Sequence, residues 1–350
     1  MKSYLAQRKQ SFVHFQFWRL IKYFSRTGYI CLRLAKMSFN TTDFDYNALL
    51  LDQKNQNKYL NAIRMLYISG YLIICTLGLV LNLLVIIAGS SFHRNSDTAK
   101  WVLALAVTHL ICSAFLPLQI LYSWYHFNWH YGTPLCKLSS TVFYASLFST
   151  AGILTLWSIT DRTGRNKCKG RHCTTFQHSS VVLIMILCSW TFAVVLSIPS
   201  LYSRELRFTA LGEQCIDDYD FSDEIMTKEG KRNLTIVVSY RFLLGILIPG
   251  FLMGICRSCQ HYDAERNLKR ITCLIKVAYF VCWTPLLIMG FLQAVTNSFD
   301  DSSYGLPVAT VLAAAHCCVN PVIYLLVSHN IKMQWMKQAQ ELDQSTNSYT

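Results

Sequence analysis

The run IRMLYISGYLIICTLGLVLNLLVIIAG, Ile63–Gly89, decides the fold. It carries a single charged side chain, Arg64, close to its start. A helix needs about 20 mostly apolar residues to cross the hydrocarbon core of a bilayer, and this run exceeds that. Six further stretches meet the same test: Lys100–Ser123, Thr133–Thr160, Ser180–Leu201, Asn233–Cys256, Ile271–Val295 and Gly305–Val327. The third is rich in Ser and Thr, which suits a helix buried among other helices. Pro117, Pro199, Pro249, Pro285 and Pro321 fall inside or near the ends of these spans. Prolines break helices in water, but in a membrane bundle neighbouring helices can satisfy the freed carbonyls. The sequence therefore predicts an all-α membrane protein, a bundle of seven transmembrane helices. An amphipathic run, Asn330–Lys337, predicts a short helix along the inner surface after the seventh span.

Composition agrees. Of 350 residues, 53% are hydrophobic and 15% charged, against about 25% charged in a soluble domain. The net charge of +13 does not point to nucleic acid, because of where it sits. Residues 1–36 hold Lys2, Arg8, Lys9, Arg19, Lys22, Arg26, Arg33 and Lys36 and no acid. That stretch has no apolar run long enough for a signal peptide core or a span. It reads as an extension upstream of a working start at Met37, or as a basic arm on a membrane surface. Residues 37–62 are then the segment before the bundle, 63–327 the bundle, and 328–350 the amphipathic helix and tail.

Orientation follows from Lys and Arg in the short loops. Arg162, Arg165, Lys167, Lys169 and Arg171 follow the third span, and Arg257, Arg266, Lys269 and Arg270 the fifth. The loop after the fourth span holds Glu213, Asp217, Asp218, Asp220, Asp223, Glu224 and Glu229, and the loop after the sixth holds Asp300 and Asp301. The basic set belongs in the cytoplasm, so the N-terminus faces outside the plasma membrane. Two glycosylation sequons, at Asn40 and Asn233, fall on that outer side. Among 14 cysteines, the outer loops past the leader offer Cys136 and Cys215, the expected disulfide pair. Cys168, His172, Cys173, Cys256, Cys259 and His261 on the inner side form no complete four-ligand zinc pattern. They read as reduced thiols, some open to palmitoylation, and neither metal nor cofactor is expected. No His-Glu-x-x-His, Gly-x-Ser-x-Gly or phosphate loop points to an enzyme. No internal symmetry points to a transporter.

The motifs, in order, are Gly78-Leu79-Val80-Leu81-Asn82, Trp129-His130-Tyr131-Gly132, Asp161-Arg162, Trp190, Pro249, Cys282-Trp283-Thr284-Pro285 and Asn320-Pro321-Val322-Ile323-Tyr324. Each sits in or beside its own span, and the set resembles the rhodopsin-like G-protein-coupled receptors. His126–Thr133, Ser197–Leu201, Arg241–Gly245 and Gly305–Thr310 further resemble the chemoattractant group: the chemerin, formyl-peptide and complement anaphylatoxin receptors, above all the chemerin receptors. The resemblance implies a receptor for an extracellular chemoattractant peptide or small protein, acting on an inhibitory-type G protein. Arg241 would bind the ligand's terminal carboxylate, for which its planar fork is suited; snorkelling or internal pairing is the competing reading. Trp283 would lie at the pocket floor. Phe280 and Trp283 would repack on activation, and Asn320, Pro321 and Tyr324 would let the seventh helix bend. Asn82, Asp161 and Arg162 complete the switch set. The tail Ser345–Thr350 carries hydroxyls that phosphorylation could turn into an arrestin site.

The departures from the family pattern lie in the inner half. His109 stands where the family has a sodium-binding aspartate, and a neutral imidazole cannot replace that carboxylate. Cys136 to Asp161 looks one residue longer than in the family, which turns the remainder of the helix by about 100° unless a bulge absorbs it. The loop from Thr163 to Lys169 lacks the usual apolar anchor and proline, and Arg257 stands where the family has tyrosine. These changes favour a second reading: an atypical or scavenging receptor that binds ligand with little or no G-protein coupling.

Overall fold

A bilayer core offers backbone groups no hydrogen-bonding solvent, and helices answer this by closing their own bonds. The computed structural model describes residues 46–92, 97–167, 175–209, 212–220, 227–256, 266–296 and 305–324. In chain order they form α1 (Tyr46–Phe92), α2 (Asp97–Trp124), α3 (Gly132–Lys167), α4 (Thr175–Ser203), β1 (Arg204–Thr209) and β2 (Gly212–Asp217). Three segments then make up α5: an α-helix (Lys228–Phe242), a π-helical turn (Leu243–Leu247) and a second α-helix (Ile248–Cys256). α6 (Arg266–Thr296) and α7 (Gly305–Tyr324) complete the bundle. Asn40, the 37–45 segment, Cys168, Cys173, the 257–265 loop, Asp300, Asp301, the Asn330–Lys337 run and the tail lie outside the described residues.

All seven expected spans are helices long and apolar enough to cross a membrane. The shortest, α7, has 20 residues, which is about 30 Å of helix. Leu72, Ile73, Leu83, Leu84 and Ile87 of α1 and Leu183, Ile184, Leu187, Val194 and Val195 of α4 are exposed. In water such faces would be a large apolar patch; in a bilayer they meet acyl chains. The third span is 61% buried, the first and fourth only 28%, so α3 is the axis on which the bundle packs. Several of its hydroxyls need no outside partner: Ser149, Thr155 and Ser158 bond back to the carbonyls of Ala145, Ala151 and Leu154.

Between helices the contacts are small residues and polar bonds, the usual substitutes for a hydrophobic drive in lipid. Asn82 donates to the Gly78 and Cys317 carbonyls, both at 2.7 Å, and so ties α1 to α7. Trp190 donates to Thr108 Oγ1 (3.0 Å), joining α4 to α2. Ser189 of α4 reaches the Ser149 carbonyl of α3. Each such bond contributes on the order of 0.6 kcal/mol.

Two features go beyond the sequence reading. The loop after α4 is an antiparallel hairpin, pairing Arg204 with Asp217 and Leu206 with Cys215. The expected disulfide, Cys136–Cys215, pins it to the top of α3, and Lys137–Glu205 (2.5 Å) adds an ion pair. Trp129, 1% exposed, packs on this disulfide, while Asn128 accepts from the Glu213 N–H. Three acids of the loop are accordingly engaged within the fold. Asp217 pairs with Arg204, Asp218 with Arg207, and Asp220 accepts from the Thr227 N–H at the start of α5.

The second feature is the π turn. α3, where an inserted residue would call for a compensating bulge, is α-helical throughout; the extra residue per turn sits in α5 instead.

Gly78 and Gly254 make a matched test of this packing. A Cβ on Gly78 would lie 3.0 Å from Ser113 Cβ and 2.2 Å from its Oγ, whereas Gly254 has open space. Gly78→Ala is expected to destabilise by about 1–3 kcal/mol, and Gly254→Ala to be neutral or stabilising by up to about 1 kcal/mol. Thermal unfolding in detergent reads both. Equal effects would contradict the close approach of α1 and α2.

Candidate ligand pocket

Arg241 is a charged side chain buried inside the bundle. Its guanidinium is always charged, and a charge at mid-bilayer costs about 2.5–3.5 kcal/mol on insertion scales. Here it is 3% exposed, so its charge is held by the protein and not by solvent. Four elements hold it. Nη1 donates to the Tyr219 hydroxyl (3.3 Å), from the segment after the hairpin. Nη2 donates to Ser200 Oγ (3.0 Å) of α4. The guanidinium carbon lies 3.6 Å from the ring centroid of Tyr144 on α3, a cation–π contact strengthened by burial. Tyr240, its neighbour on α5, bonds the Leu196 carbonyl and stacks on Phe148.

All three direct partners are neutral. Among the described residues no carboxylate makes an ion pair with Arg241, and its Nε has no hydrogen-bond partner. Burial, and next the Asp217 charge, pushes the Tyr219 phenol well above its ordinary range, so it stays a neutral hydroxyl. Asn233 Nδ2 donates to the Tyr219 carbonyl (3.4 Å) and helps hold that residue over the cation. The sequon at Asn233 thus lies within the first turns of α5.

A second guanidinium faces the same space. Arg204, the first residue of β1, is within electrostatic reach of Tyr122, Tyr144 and Tyr219 and pairs with Asp217 at 3.1 Å. Asp217 acts on Arg241 as well. Among the described residues, this cluster at the hairpin end of the bundle sets two guanidinium groups, Arg204 and Arg241, against one carboxylate, Asp217, among tyrosines. An anion with an aromatic or apolar neighbour fits that chemistry.

Below this cluster the aromatic contacts continue inward. Tyr144 meets Phe143 edge-on (5.5 Å), Phe143 leans on Trp283 (4.9 Å), Trp283 on His316 (4.9 Å), and His316 meets His109 edge-on (4.8 Å). Trp283 and His109 are both fully buried. His109 Nε2 is 3.2 Å from Thr150 Oγ1, while its Nδ1 and Trp283 Nε1 lack hydrogen-bond partners among the described residues. Phe280 sits one turn toward the inner end, against Gly250 of α5. Asn320 and Pro321 are buried in α7, and the buried Tyr324 hydroxyl has no partner among the described residues. Asp161 is exposed at the inner end of α3, far from the pocket set, and the Arg162 side chain lies outside the described residues. Among the described residues no group of three or more His, Cys, Asp or Glu is arranged to hold a metal ion.

Sequence reasoning singled out Arg241, Trp283 and His109 and did not single out Arg204, Asp217, Tyr219, Tyr144 or His316 beside them. The alternation Leu206-Arg207-Phe208-Thr209 before Gly212 was a usable hairpin signal. Nothing local marked Tyr144 or His316, whose roles depend on which helix each one faces.

Residues 81–324 match the family described as 7 transmembrane receptor (rhodopsin family). The chain is 28% identical over 292 residues to "Chemerin-like receptor 1" of Bos taurus, covering 77% of this chain and 79% of that protein. It is 27% identical over 326 residues to "Chemerin-like receptor 1" of Homo sapiens, with 83% and 86% covered. It is 29% identical over 300 residues to "Chemerin-like receptor 2" of Mus musculus, with 81% and 82% covered. With the match spanning most of the bundle, the chain belongs to the rhodopsin family of seven-transmembrane receptors.

Proposed function

We propose that this receptor sits in the plasma membrane with its N-terminus outside and takes the terminal carboxylate of an extracellular chemoattractant peptide or small protein onto Arg241. One observation carries the reading: a deeply buried guanidinium whose direct partners are all neutral and whose Nε is unpaired. A ligand carboxylate would give it the charge-assisted, bidentate bond it lacks. The similarity to chemerin-like receptors supports a ligand of that class. Signal transfer to an inhibitory-type G protein would run through the Tyr144–Phe143–Trp283–His316–His109 contacts and repacking at Phe280, with bending of α7 at Asn320, Pro321 and Tyr324. Arrestin would act on the phosphorylated tail. Glycans at Asn40 and Asn233 would decorate the outer side.

A second reading, ligand capture with weak or absent nucleotide exchange, is favoured by His109. The position is filled by a buried imidazole packed on His316, which leaves no carboxylate for sodium. Ligand affinity is expected to be unchanged when sodium is replaced by an organic cation. A sodium-dependent shift in binding would contradict the absence of an ion site.

Arg241→Ala is expected to weaken a chemerin C-terminal peptide by about 10- to 100-fold, the size of a charge-assisted hydrogen bond. The C-terminal amide of the same peptide should lose far less; equal losses would sink the carboxylate assignment. In cells given chemerin, formyl and anaphylatoxin peptides, G-protein activation is expected together with uptake. Uptake without activation would replace the signalling receptor by the scavenger.

A further inference from the structure

The seam between α5 and α6 decides which side chain of α5 faces the anion pocket. Leu243–Leu247 is π-helical, with the Ile248 N–H bonded to the Leu243 carbonyl five residues back. A π turn takes up one residue more than an α turn. Everything before it is therefore rotated by about 100° and shifted by about 1.5 Å relative to the inner half of the helix. Arg241 and Phe242 are the last two residues of the segment before the turn. If α5 were a continuous α-helix with its inner half fixed, Phe242 would take the direction Arg241 now has. Arg241 would take that of Tyr240, against Phe148 and the Leu196 carbonyl. In the observed register Phe242 instead stacks on Phe291 of α6, and Arg241 meets Tyr219 and Ser200.

Something must favour the π register over the α register. Pro249 has no N–H, so the Gly245 carbonyl, four residues earlier, has no backbone donor in a continuous α-helix. In the observed register that carbonyl meets the Tyr279 hydroxyl of α6 at 2.5 Å. Tyr279 is 2% exposed, its ring is edge-on to Phe280, and it is fixed in place by packing. Gly245 also lets the turn approach α3: a Cβ there would sit 3.2 Å from Leu147 Cδ2.

We propose that Tyr279 is a positioning residue for Arg241. Its hydroxyl holds the π turn of α5 and so keeps Arg241, rather than Phe242, in the pocket. The functional meaning of this rests on the ligand role proposed for Arg241, but the register itself does not. The test therefore uses no ligand. Arg241→Cys and Phe242→Cys are introduced singly into the full chain, and intact cells are treated with the impermeant thiol reagent sulfonatoethyl methanethiosulfonate. Labelling rates at the two positions are read from their own peptides by mass spectrometry, so native thiols do not interfere. Position 241 is expected to label faster than 242. Tyr279→Phe, which keeps the ring, is expected to lower the 241-to-242 ratio by about fivefold or more, the size of losing one buried hydrogen bond. An unchanged ratio overturns the proposal. Should Tyr279→Phe fail to reach the surface, Pro249→Ala gives the Gly245 carbonyl a backbone donor in the α register. It is expected to lower the same ratio with Tyr279 intact, and an unchanged ratio there overturns the proposal equally.

Discussion

A solvent that cannot hydrogen-bond sets the terms for every polar group in this bundle. Hydroxyls on α3 turn back to their own helix. The Asn82 amide spends itself on two carbonyls. The Gly245 carbonyl, left without a donor by Pro249, takes the Tyr279 hydroxyl. Under that rule, Arg241 stands out. It has been given two hydroxyls and a tyrosine face, enough to keep it inside but short of a charge partner. A bundle selected for stability alone would gain by replacing such a cation with an apolar side chain of similar volume. That cation, with a second guanidinium beside it on the hairpin, is what the proposed ligand role draws on.

The hairpin links the covalent and the electrostatic parts of the pocket. Cys136–Cys215 holds β2 on α3, β1 follows α4 directly, and the register opposes Arg204 and Asp217. Tyr219 comes two residues later and reaches Arg241. A shift of one residue in that pairing would separate Arg204 from Asp217 and displace the chain that leads into Tyr219. The disulfide is thus a positioning device for the site as well as a tether for a loop.

How much of this was legible in the sequence depended on the kind of signal. The spans were, because apolar length is a property of a segment alone. The cysteine pair was, because the outer side offered so few candidates. Arg241 was noticed because a charge inside a span is rare. The partners of Arg241 were not legible: helices that are apolar on most sides carry no sharp amphipathic stripe to say which residue faces inward. The π turn was invisible for the same reason. It moves Arg241 by one residue's rotation without changing the composition of α5. The pairing of Asp217 and Asp218 with Arg204 and Arg207 was not legible either, because only the strand register brings the two sides of the hairpin together.

The outer half of the bundle is thus built around a buried cation, and in the proposed function that cation awaits a ligand carboxylate. A structure of the receptor with a bound chemerin C-terminal peptide probes this at the atoms concerned, through the distance from the terminal carboxylate to the Arg241 guanidinium. Direct contact is expected, at about 2.7–2.9 Å for a charge-assisted bond, with Tyr219 or Ser200 released. A peptide whose carboxylate lies elsewhere, with Arg241 still bonded to Tyr219 and Ser200, would refute the carboxylate role of Arg241.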